Sequence, residues 1–361
     1  MELGIAVFGD ANAHPVTGRR ISEAQAIRDI VEVATLAEEV GLDWFGVGEH
    51  HTPEFPASAA APILAAVAAR TSRIKLSSAV TVLGTDDPVR VYEQFATVDA
   101  ISGGRAEIIA GRGSSTESFP LFGYSLEDYD RLFGEKLELL MEINRTDRVV
   151  WSGTTRPPLN GEYIPPRAEH GPIPLWLGVG GTPGSAVRAA QLGLPLASGL
   201  LGGSITGSAR IADLYRAAAA RLGTPPQRTA VMLGTPGFVA EDGAAARETW
   251  WPHFHRFMTT VGDQRGFPPP SRASYDESTG PDGALLVGSP EEIAERIVRM
   301  HERWGHVRQF IHMDWGGLPL SDHLRAVELF GTAVKPLVDA ELGHTPVDQI
   351  LGRKNHERND R

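Results

Sequence analysis

The sequence predicts an α/β fold in which eight parallel strands close into a barrel and helices surround it. Strand-like runs alternate with helix-period segments from one end of the chain to the other, and eight such pairs can be counted. A chain of 361 residues with 42% hydrophobic residues can bury one large core. Because a simple barrel of this type needs only roughly 250 residues, we expect insertions in its loops.

Short apolar runs mark the strands, and capping signals mark the helices. Ser22 with Gln25 predicts a capping box at the start of the first helix, and Gly41 stands where a left-handed residue would end it. Ser289 and Gly305 bound a helix in the last quarter of the chain in the same way. The predicted strands begin near Leu3, Asp43, Ile74, Arg105, Pro174, Leu194, Thr229 and Val307.

Two stretches account for the extra length. Residues 149–174 hold six prolines and strand-like pieces, which predicts a hairpin between the fourth helix and the fifth strand. Residues 262–288 are rich in Gly, Pro, Ser and charge, and a connection of that length is typical of a lid or a disordered loop. We therefore expect one domain over residues 1–351, a TIM barrel with insertions, and a polar tail over 352–361.

Charge and composition exclude several classes of function. The net charge is -11 and the basic residues are scattered, which disfavours nucleic acid and anionic membranes as partners. The apolar runs fall short of the roughly 20 residues that span a bilayer, and the first residues lack a basic leader, so we expect a cytoplasmic protein. With no cysteine in the chain, disulfides, thiolate nucleophiles, iron–sulfur clusters and cysteine-ligated zinc are excluded.

Chemistry on such a barrel takes place where the strands end, at their carboxyl termini. Four predicted strands end in polar or glycine-rich segments, at residues 49–51, 111–115, 178–185 and 312–317. Because the carboxyl ends of parallel strands meet at one mouth, these four segments are expected to lie close together. The role of Asp314 and Trp315 in the last segment stays open, since a turn after the strand would explain them equally well.

The second strand ends in Glu49, His50 and His51, three adjacent side chains that handle protons. Alternation along a strand puts His50 on the face of Gly46 and Gly48, where something is expected to approach the backbone closely. Histidine readily exchanges a proton near neutral pH, so His50 is the candidate acid or base. A pair of structural histidines beside a salt-bridged glutamate is the alternative.

A metal site is disfavoured at the two histidine pairs of the sequence. His50 and His51 are adjacent on a strand and point to opposite faces, so they cannot both ligate one ion without a bend. His253 and His255 lie among aromatic residues, which indicates packing on a helix. We therefore expect no metal.

The fifth strand leads into a predicted phosphate cradle. Thr182 suits a helix N-cap and Pro183 the first helical position, which leaves the backbone N–H groups of Gly184 and Ser185 free to face an anion. Arg112, between two glycines at a neighbouring strand end, could add a two-pronged guanidinium. A glycine-rich turn without a ligand is the alternative.

Six segments in this order resemble the bacterial luciferase-like family of flavin-dependent monooxygenases, which are TIM barrels. They are Gly41-Leu42-Asp43 with Glu49-His50-His51, Ser78-Ala79-Val80 with Asp87-Pro88-Val89-Arg90, Ser102-Gly103-Gly104-Arg105, Gly111-Arg112-Gly113, residues 189–195, and residues 287–292. The resemblance spans nearly the whole chain. The chain departs from the luciferase alpha chains at two positions: Gly111 replaces a cysteine and Gly181 replaces a carboxylate. We therefore do not expect light emission or a long-chain aldehyde substrate.

The resemblance implies a bound FMN and a role for His50 at the active site. It also implies that Ala79 and Val80 are joined by a cis peptide bond against the flavin ring, and that residues 262–288 form a mobile lid. The implied cofactor-binding residues are Glu49, Ala79, Val80, Arg112, Ser114, Arg131, Val179, Gly180, Gly181, Thr182 and Ser185.

We therefore expect a two-component monooxygenase that uses O2 and reduced FMN, delivered by a separate NAD(P)H-flavin reductase, on a small organic substrate. Members of the family are commonly dimers, so the resemblance implies a homodimer. A deazaflavin-dependent enzyme that transfers hydride is the nearest alternative, and a non-catalytic flavin-binding protein is another. A barrel aldolase or isomerase would need a lysine or paired carboxylates at the strand ends, and Lys75 lies at the wrong end of its strand.

Overall fold

The computed structural model describes residues 1–113 and 116–352, and it contains the predicted barrel. The strands are β1 (Glu2–Val7), β2 (Trp44–Val47), β3 (Lys75–Ser78), β4 (Thr81–Val82), β5 (Ala106–Gly111), β6 (Arg148–Trp151), β7 (Leu159–Tyr163), β8 (Leu175–Val179), β9 (Leu196–Gly199), β10 (Val231–Val239), β11 (Leu286–Gly288) and β12 (Arg308–His312). Eight of them, β1, β2, β3, β5, β8, β9, β10 and β12, pair in parallel around a closed ring.

Strand β1 shows how the ring closes. Ile5 lies opposite Phe45 of β2 on one side and opposite Ile311 of β12 on the other. The ring is completed where β10 pairs with both β9 and β12. Each of the eight predicted strand starts falls within two residues of an observed barrel strand, so the predicted fold class is confirmed.

Helices connect the strands and cover the outside of the barrel. They are α1 (Glu23–Glu39), α2 (Ala60–Ala68), α3 (Pro88–Ser102), α4 (Ser118–Leu121), α5 (Tyr129–Arg145), α6 (Pro183–Leu192), α7 (Ile205–Ser208), α8 (Arg210–Arg221), α9 (Gly243–Arg265), α10 (Arg272–Ser278), α11 (Pro290–Trp304), α12 (Leu320–Leu329), α13 (Lys335–Leu342) and α14 (Val347–Ile350). The described helices include none with the length and apolar character needed to cross a bilayer.

The predicted caps explain where two of these helices begin. Ser289 and Glu292 form a complete capping box at the start of α11. At the start of α1, Ser22 accepts a hydrogen bond from the Gln25 N–H, but the Gln25 side chain bonds Asp29 instead of returning to the cap. Gly41 follows α1 with a φ of 83°, the left-handed conformation that the sequence predicted there.

The amino-terminal end of the barrel is closed by buried charge. Arg308 bonds both carboxylate oxygens of Glu107, at 2.6 and 3.1 Å, and also the Glu2 carboxylate at 2.7 Å. The Trp44 indole donates to Glu107 at 3.2 Å, and the backbone N–H of Val347 in α14 donates to Glu2 at 2.8 Å. We call these five residues the amino-terminal network. Burial opposes the charge on Arg308, but Glu107 and Glu2 raise the pKa of its guanidinium.

The two inserted stretches have their own secondary structure. Strands β6 and β7 form an antiparallel two-stranded sheet with a bulge between Val149 and Val150. Residues 262–288, expected as a lid or a disordered loop, contain the end of α9, helix α10 and strand β11, so the disordered alternative was wrong. Tyr275 of α10 is fully buried against Trp250 and Phe254, so its aromatic ring anchors this segment to the core. Most of the predicted tail, residues 353–361, lies outside the described residues.

Candidate active site

A cavity of about 850 Å³ opens at the carboxyl ends of the barrel strands. We call it the mouth cavity. Its walls come from at least five barrel strands and from the helix starts that follow them, as expected for an active site on this fold. The lining includes Phe8, Ala79, Val80, Arg112, Tyr129, Val179, Gly180, Gly181, Thr182, Ser185, Gly199, Leu200, Ile211, Phe310 and His312.

Arg112 and Ser185 meet at the rim of this cavity, although 73 positions separate them in the chain. The Arg112 guanidinium donates to the Ser185 hydroxyl at 3.1 Å and to the Asp130 carboxylate at 2.8 Å, and it lies 5.2 Å from the centre of the Tyr129 ring. Its partner Asp130 is 71% exposed, so this ion pair exchanges readily with solvent. The guanidinium is thus held over the start of α6.

Helix α6 begins as the sequence predicted, with Thr182 as N-cap and Pro183 at the first position. The Thr182 side chain makes no capping hydrogen bond. The prediction that the Ser185 N–H is free was wrong, because it donates to the Thr182 carbonyl at 3.0 Å as the first turn of the helix closes. A β-carbon added to Gly180, Gly181 or Gly184 would meet open space. The geometry is a shallow cradle of backbone donors beside a guanidinium, which fits a phosphate group.

The wall across the cavity is formed by Ala79 and Val80, and the peptide bond between them is cis, as the resemblance implied. The Val80 side chain packs where β5 and β8 carry glycine. A β-carbon on Gly111 would lie 2.4 Å from Val80, and one on Gly178 would lie 3.2 Å from it. The glycine at position 111 therefore makes room for Val80, which explains one of the two departures from the luciferase pattern.

His50 is paired with a carboxylate that the sequence did not single out. Its Nδ1 lies 3.0 Å from Oε1 of Glu117, and the two side chains are 13% and 22% exposed. Burial, the largest influence, raises the pKa of Glu117, but the hydrogen bond and charge of His50 together with two backbone hydrogen bonds lower the pKa overall. The ionised carboxylate holds the Nδ1 proton and leaves Nε2 as the nitrogen that can exchange one.

His50 also lies against aromatic rings. Its ring centre is 5.0 Å from that of Phe8 and 5.1 Å from that of Phe55. The approach of a neighbour predicted at Gly48 is confirmed, because a β-carbon there would lie 2.4 Å from the Phe8 ring. The space beside the glycines is therefore filled by protein. His50 itself is not part of the mouth cavity lining, and Phe8, which is, lies in contact with it.

Phe8 and His312 are two cavity residues to which the sequence analysis assigned no role. Their rings stack at 4.6 Å, and both line the mouth cavity. Burial lowers the pKa of His312 to about 3, so its imidazole is neutral, and its Nδ1 has no partner among the described residues. The signal for His312 was available, since the sequence placed it at the carboxyl end of the last strand.

Glu49 connects two segments of the structure through hydrogen bonds. Its carboxylate bonds His51 Nε2 at 3.0 Å and accepts the backbone N–H of Val82 at 2.9 Å. It thus ties the end of β2 to the chain that follows the cis peptide bond. Glu49 is not part of the mouth cavity lining.

Other predicted site residues are not brought to the cavity. The Arg131 guanidinium bonds Asp128 at 2.8 Å and the Thr154 hydroxyl at 2.5 Å, away from the cradle. Ser114 lies outside the described residues. His253 is buried with its Nδ1 at 3.0 Å from the carbonyl of Gly316, consistent with the predicted packing role. The described residues include no cluster of three or more side chains that could hold a metal ion.

Asp314 and Trp315, which the sequence left open, have structural partners. Asp314 is 8% exposed, and its Oδ2 accepts backbone hydrogen bonds from Phe8 at 2.8 Å and Gly9 at 2.9 Å. Trp315 stacks on Phe257 at 3.8 Å. Both residues hold the loops around the barrel mouth, and neither lines the mouth cavity.

The fold and this cavity define an enzyme of the TIM-barrel class with an anion cradle at its mouth. Residues 1–306 match the family model described as luciferase-like monooxygenase. The chain therefore belongs to the luciferase-like monooxygenase family and is an oxidoreductase.

Relatives of this chain are named for different reactions. The N-acetyl-S-alkylcysteine monooxygenase of Bacillus subtilis is 32% identical over 49% of this chain and 52% of its own length. The F420-dependent glucose-6-phosphate dehydrogenase of Amycolatopsis mediterranei is 30% identical over 43% of this chain and 48% of its own length. This chain thus spans about half the length of these two relatives.

Structural similarity extends over nearly the whole chain. The oxygenating constituent of 3,6-diketocamphane monooxygenase from Pseudomonas putida, solved in complex with FMN, superposes with a TM-score of 0.75. The alignment covers 94% of this chain and 98% of that protein, at 18% identity. At this identity the similarity establishes the shared fold.

Proposed function

We propose that this protein is a two-component monooxygenase that uses O2 and reduced FMN, supplied by an NAD(P)H-flavin reductase, to oxidise a small organic substrate. The observation that carries the proposal is the cradle formed by Arg112, Ser185 and the start of α6 at the rim of the mouth cavity. A phosphate group fits that donor set, and the 850 Å³ cavity beside it is large enough for a ring system and a small substrate. We also propose a homodimer, from family habit.

Arg112, the Ser185 hydroxyl and the Gly184 N–H would hold the phosphate of FMN. Bound reduced FMN supplies the electrons that activate O2. Ala79 and Val80 would limit the ring on one side, and the stacked pair of Phe8 and His312 would exclude water on another. The neutral His312 imidazole offers a hydrogen bond within this wall.

His50 is the proposed acid or base. Glu117 fixes the Nδ1 proton, so that Nε2 gives or takes a proton during turnover. Because Glu117 follows β5 and His50 follows β2, the pair also links two of the loops that surround the mouth cavity.

The cradle is tested by measuring FMN affinity in two arginine variants. Arg112→Ala removes a charged hydrogen-bond donor to the phosphate, so we expect FMN to bind roughly 10–100-fold more weakly in a fluorescence titration. Arg131→Ala is the matched control, because that guanidinium bonds Asp128 and Thr154 away from the cavity. Equal FMN affinity in the two variants would contradict the proposed cradle.

A deazaflavin-dependent hydride transfer is the second candidate, favoured by the match to the F420-dependent dehydrogenase. Its cofactor also carries a phosphate, so the cradle suits both. The two candidates separate when the protein is titrated with FMN and with F420, then given reductase, NADH and a panel of aldehydes, ketones and sulfonates. Oxygen uptake that depends on both FMN and substrate supports the monooxygenase. Tight F420 binding without oxygen uptake supports the hydride-transferring alternative.

A further inference from the structure

The mouth cavity is lined by positive charge, although the chain as a whole is acidic. Its described lining includes three arginines, Arg112, Arg210 and Arg265, and neither an aspartate nor a glutamate. The whole chain carries 45 acidic residues against 34 lysines and arginines, so composition does not explain this difference. A cleft lined by charge of one sign concentrates ligands of the opposite sign. The cavity therefore favours anionic ligands.

Two of these arginines already have carboxylates near them. Arg112 bonds Ser185 and Asp130 at the cradle, where the proposed ligand is the phosphate of FMN. Arg265 stands in the last turn of α9. Burial lowers its pKa, and the charge of Glu117, the carboxylate paired with His50, opposes this shift. An arginine side chain keeps its proton in either case, so both guanidinium groups stay charged.

Arg210 is the arginine without such a partner. It is the first residue of α8, it is exposed, and its side chain makes no hydrogen bond or ion pair with the described residues. Its neighbour Ile211 also lines the mouth cavity, as do Leu200 and Leu201, which follow β9. One connection, from the end of β9 to the start of α8, thus supplies both a free guanidinium and an apolar surface.

This connection is fastened from outside the cavity. The Asp282 carboxylate accepts hydrogen bonds from the Ser204 hydroxyl at 2.7 Å and from the Thr206 hydroxyl at 3.0 Å. The carbonyl of Asp282 accepts the backbone N–H of Ile205 at 2.9 Å. These three bonds hold α7, which leads directly into Arg210. The guanidinium is therefore presented by an anchored segment.

We propose that the substrate is a small organic acid, with its acid group paired to Arg210 and its apolar body against Leu200, Leu201 and Ile211. The proposal rests on the proposed function, since it assigns the part of the mouth cavity that FMN leaves free. A guanidinium donates two parallel hydrogen bonds to an acid group, which fixes its orientation as well as its charge. Arg210 then determines specificity and takes no part in the chemistry.

Other ligand charges fit this wall less well. A cationic substrate would face three guanidinium groups without a carboxylate in the described lining. A neutral substrate that covers Arg210 would remove the guanidinium from water without giving it a counter-charge, which costs free energy. An acid group avoids both costs, so the structure discriminates by charge in the order anion, neutral, cation.

The proposal is tested by calorimetric titration of the full-length, FMN-saturated protein with cyclohexanecarboxylate. We expect a dissociation constant on the order of 1 mM, which is reasonable for a ligand of this size. Cyclohexanecarboxamide has the same shape without the charge and should bind roughly tenfold more weakly. Cyclohexylmethylammonium should bind more weakly still. Equal affinity for the carboxylate and the amide would overturn the proposal.

Three variants assign the preference to one residue. Arg210→Gln should weaken cyclohexanecarboxylate binding roughly tenfold and leave the affinity for the amide within about twofold. Arg210→Lys keeps the charge and should retain part of the preference. Arg221→Gln is the matched control, because Arg221 is exposed at the other end of α8 and lies outside the lining. An unchanged preference in Arg210→Gln would overturn the assignment.

FMN titrations of the same variants separate this proposal from the proposed function. Arg210→Gln should bind FMN with wild-type affinity, because the cradle contains Arg112 and Ser185 instead. Loss of FMN binding in Arg210→Gln would overturn the proposal, since Arg210 would then serve the cofactor. A wild-type protein that does not bind FMN would overturn the proposed function, and this assignment with it. Tight FMN binding without a preference for the carboxylate would overturn the substrate assignment alone.

Discussion

The two ends of the barrel differ in how completely their buried charged groups are paired. At the amino-terminal end, Arg308 is fully buried and both of its carboxylate partners, Glu2 and Glu107, are bonded to it. Around the mouth, His312 and Asp314 each keep one buried polar atom without a partner among the described residues. A closed network of paired charges specifies how the strands come together. The mouth cavity and its anion cradle lie at the other end of the same strands.

The largest effect is expected from His50. Because Glu117 orients its imidazole for proton transfer, His50→Asn should lower turnover by roughly 10²–10⁴-fold while leaving FMN affinity within about twofold of wild type. Stopped-flow kinetics under saturating reduced flavin would measure the step directly. Glu117→Gln keeps the size of the partner but removes its charge, and it should reduce turnover less. If His50→Asn turns over normally, His50 has no part in proton transfer.

At the opposite end, Arg308→Met should destabilise the fold and leave the chemistry of any folded fraction unchanged. The substitution leaves Glu2 and Glu107 buried without their cation, which typically costs about 3–5 kcal/mol. Urea unfolding followed by circular dichroism would measure the loss. Arg325→Ala is a control, because Arg325 is half exposed and its ion pairs lie on the surface. Similar midpoints for the two variants would show that the amino-terminal network does not stabilise the barrel.

A smaller effect is expected in the pH dependence of stability. The pKa of Asp314 is raised by burial and by Asp10 to about 8, from an ordinary value of 3.8. Such a group stabilises the fold fully below about pH 4, and the stabilisation is lost as the pH rises through 8, because the folded state then has to release a proton it holds tightly. Asp314→Asn mimics the neutral acid and removes this loss.

The stability of Asp314→Asn relative to wild type should therefore increase between pH 5 and pH 8.5, by at least the roughly 1.4 kcal/mol that corresponds to one pKa unit. Burial also raises the pKa of Asp10, to about 6. Asp10 therefore lowers the stability of both proteins as the pH rises. Urea midpoints at several pH values would measure the difference. A constant difference across this range would mean that Asp314 is ionised throughout.

Predictions from the sequence were most successful where the physics is local. Strand starts, the N-cap at Thr182, the left-handed Gly41 and the capping box at Ser289 all follow from short-range rules, and the structure confirms each of them. The meeting of Arg112 with Ser185 was also predictable, because the carboxyl ends of parallel strands converge.

Partners from distant parts of the chain could not be predicted in this way. Glu117 lies 67 positions from His50 in the chain, and no spacing rule distinguishes it from other exposed-looking glutamates. Arg131 has the residue type and helix position expected for a phosphate ligand. Its guanidinium instead donates a hydrogen bond to the Thr154 hydroxyl in the inserted hairpin. The helix in residues 262–288 was missed because a single buried aromatic residue, Tyr275, anchors it.

The amino-acid sequence by itself determined the alternation of strands and helices, the caps, and therefore the barrel with its polar mouth. Tertiary structure alone decided which side chains meet across that mouth and which carboxyl groups are buried. The reason is physical: secondary structure depends on neighbours within a few residues, whereas pairing, burial and pKa depend on atoms brought together from the whole chain.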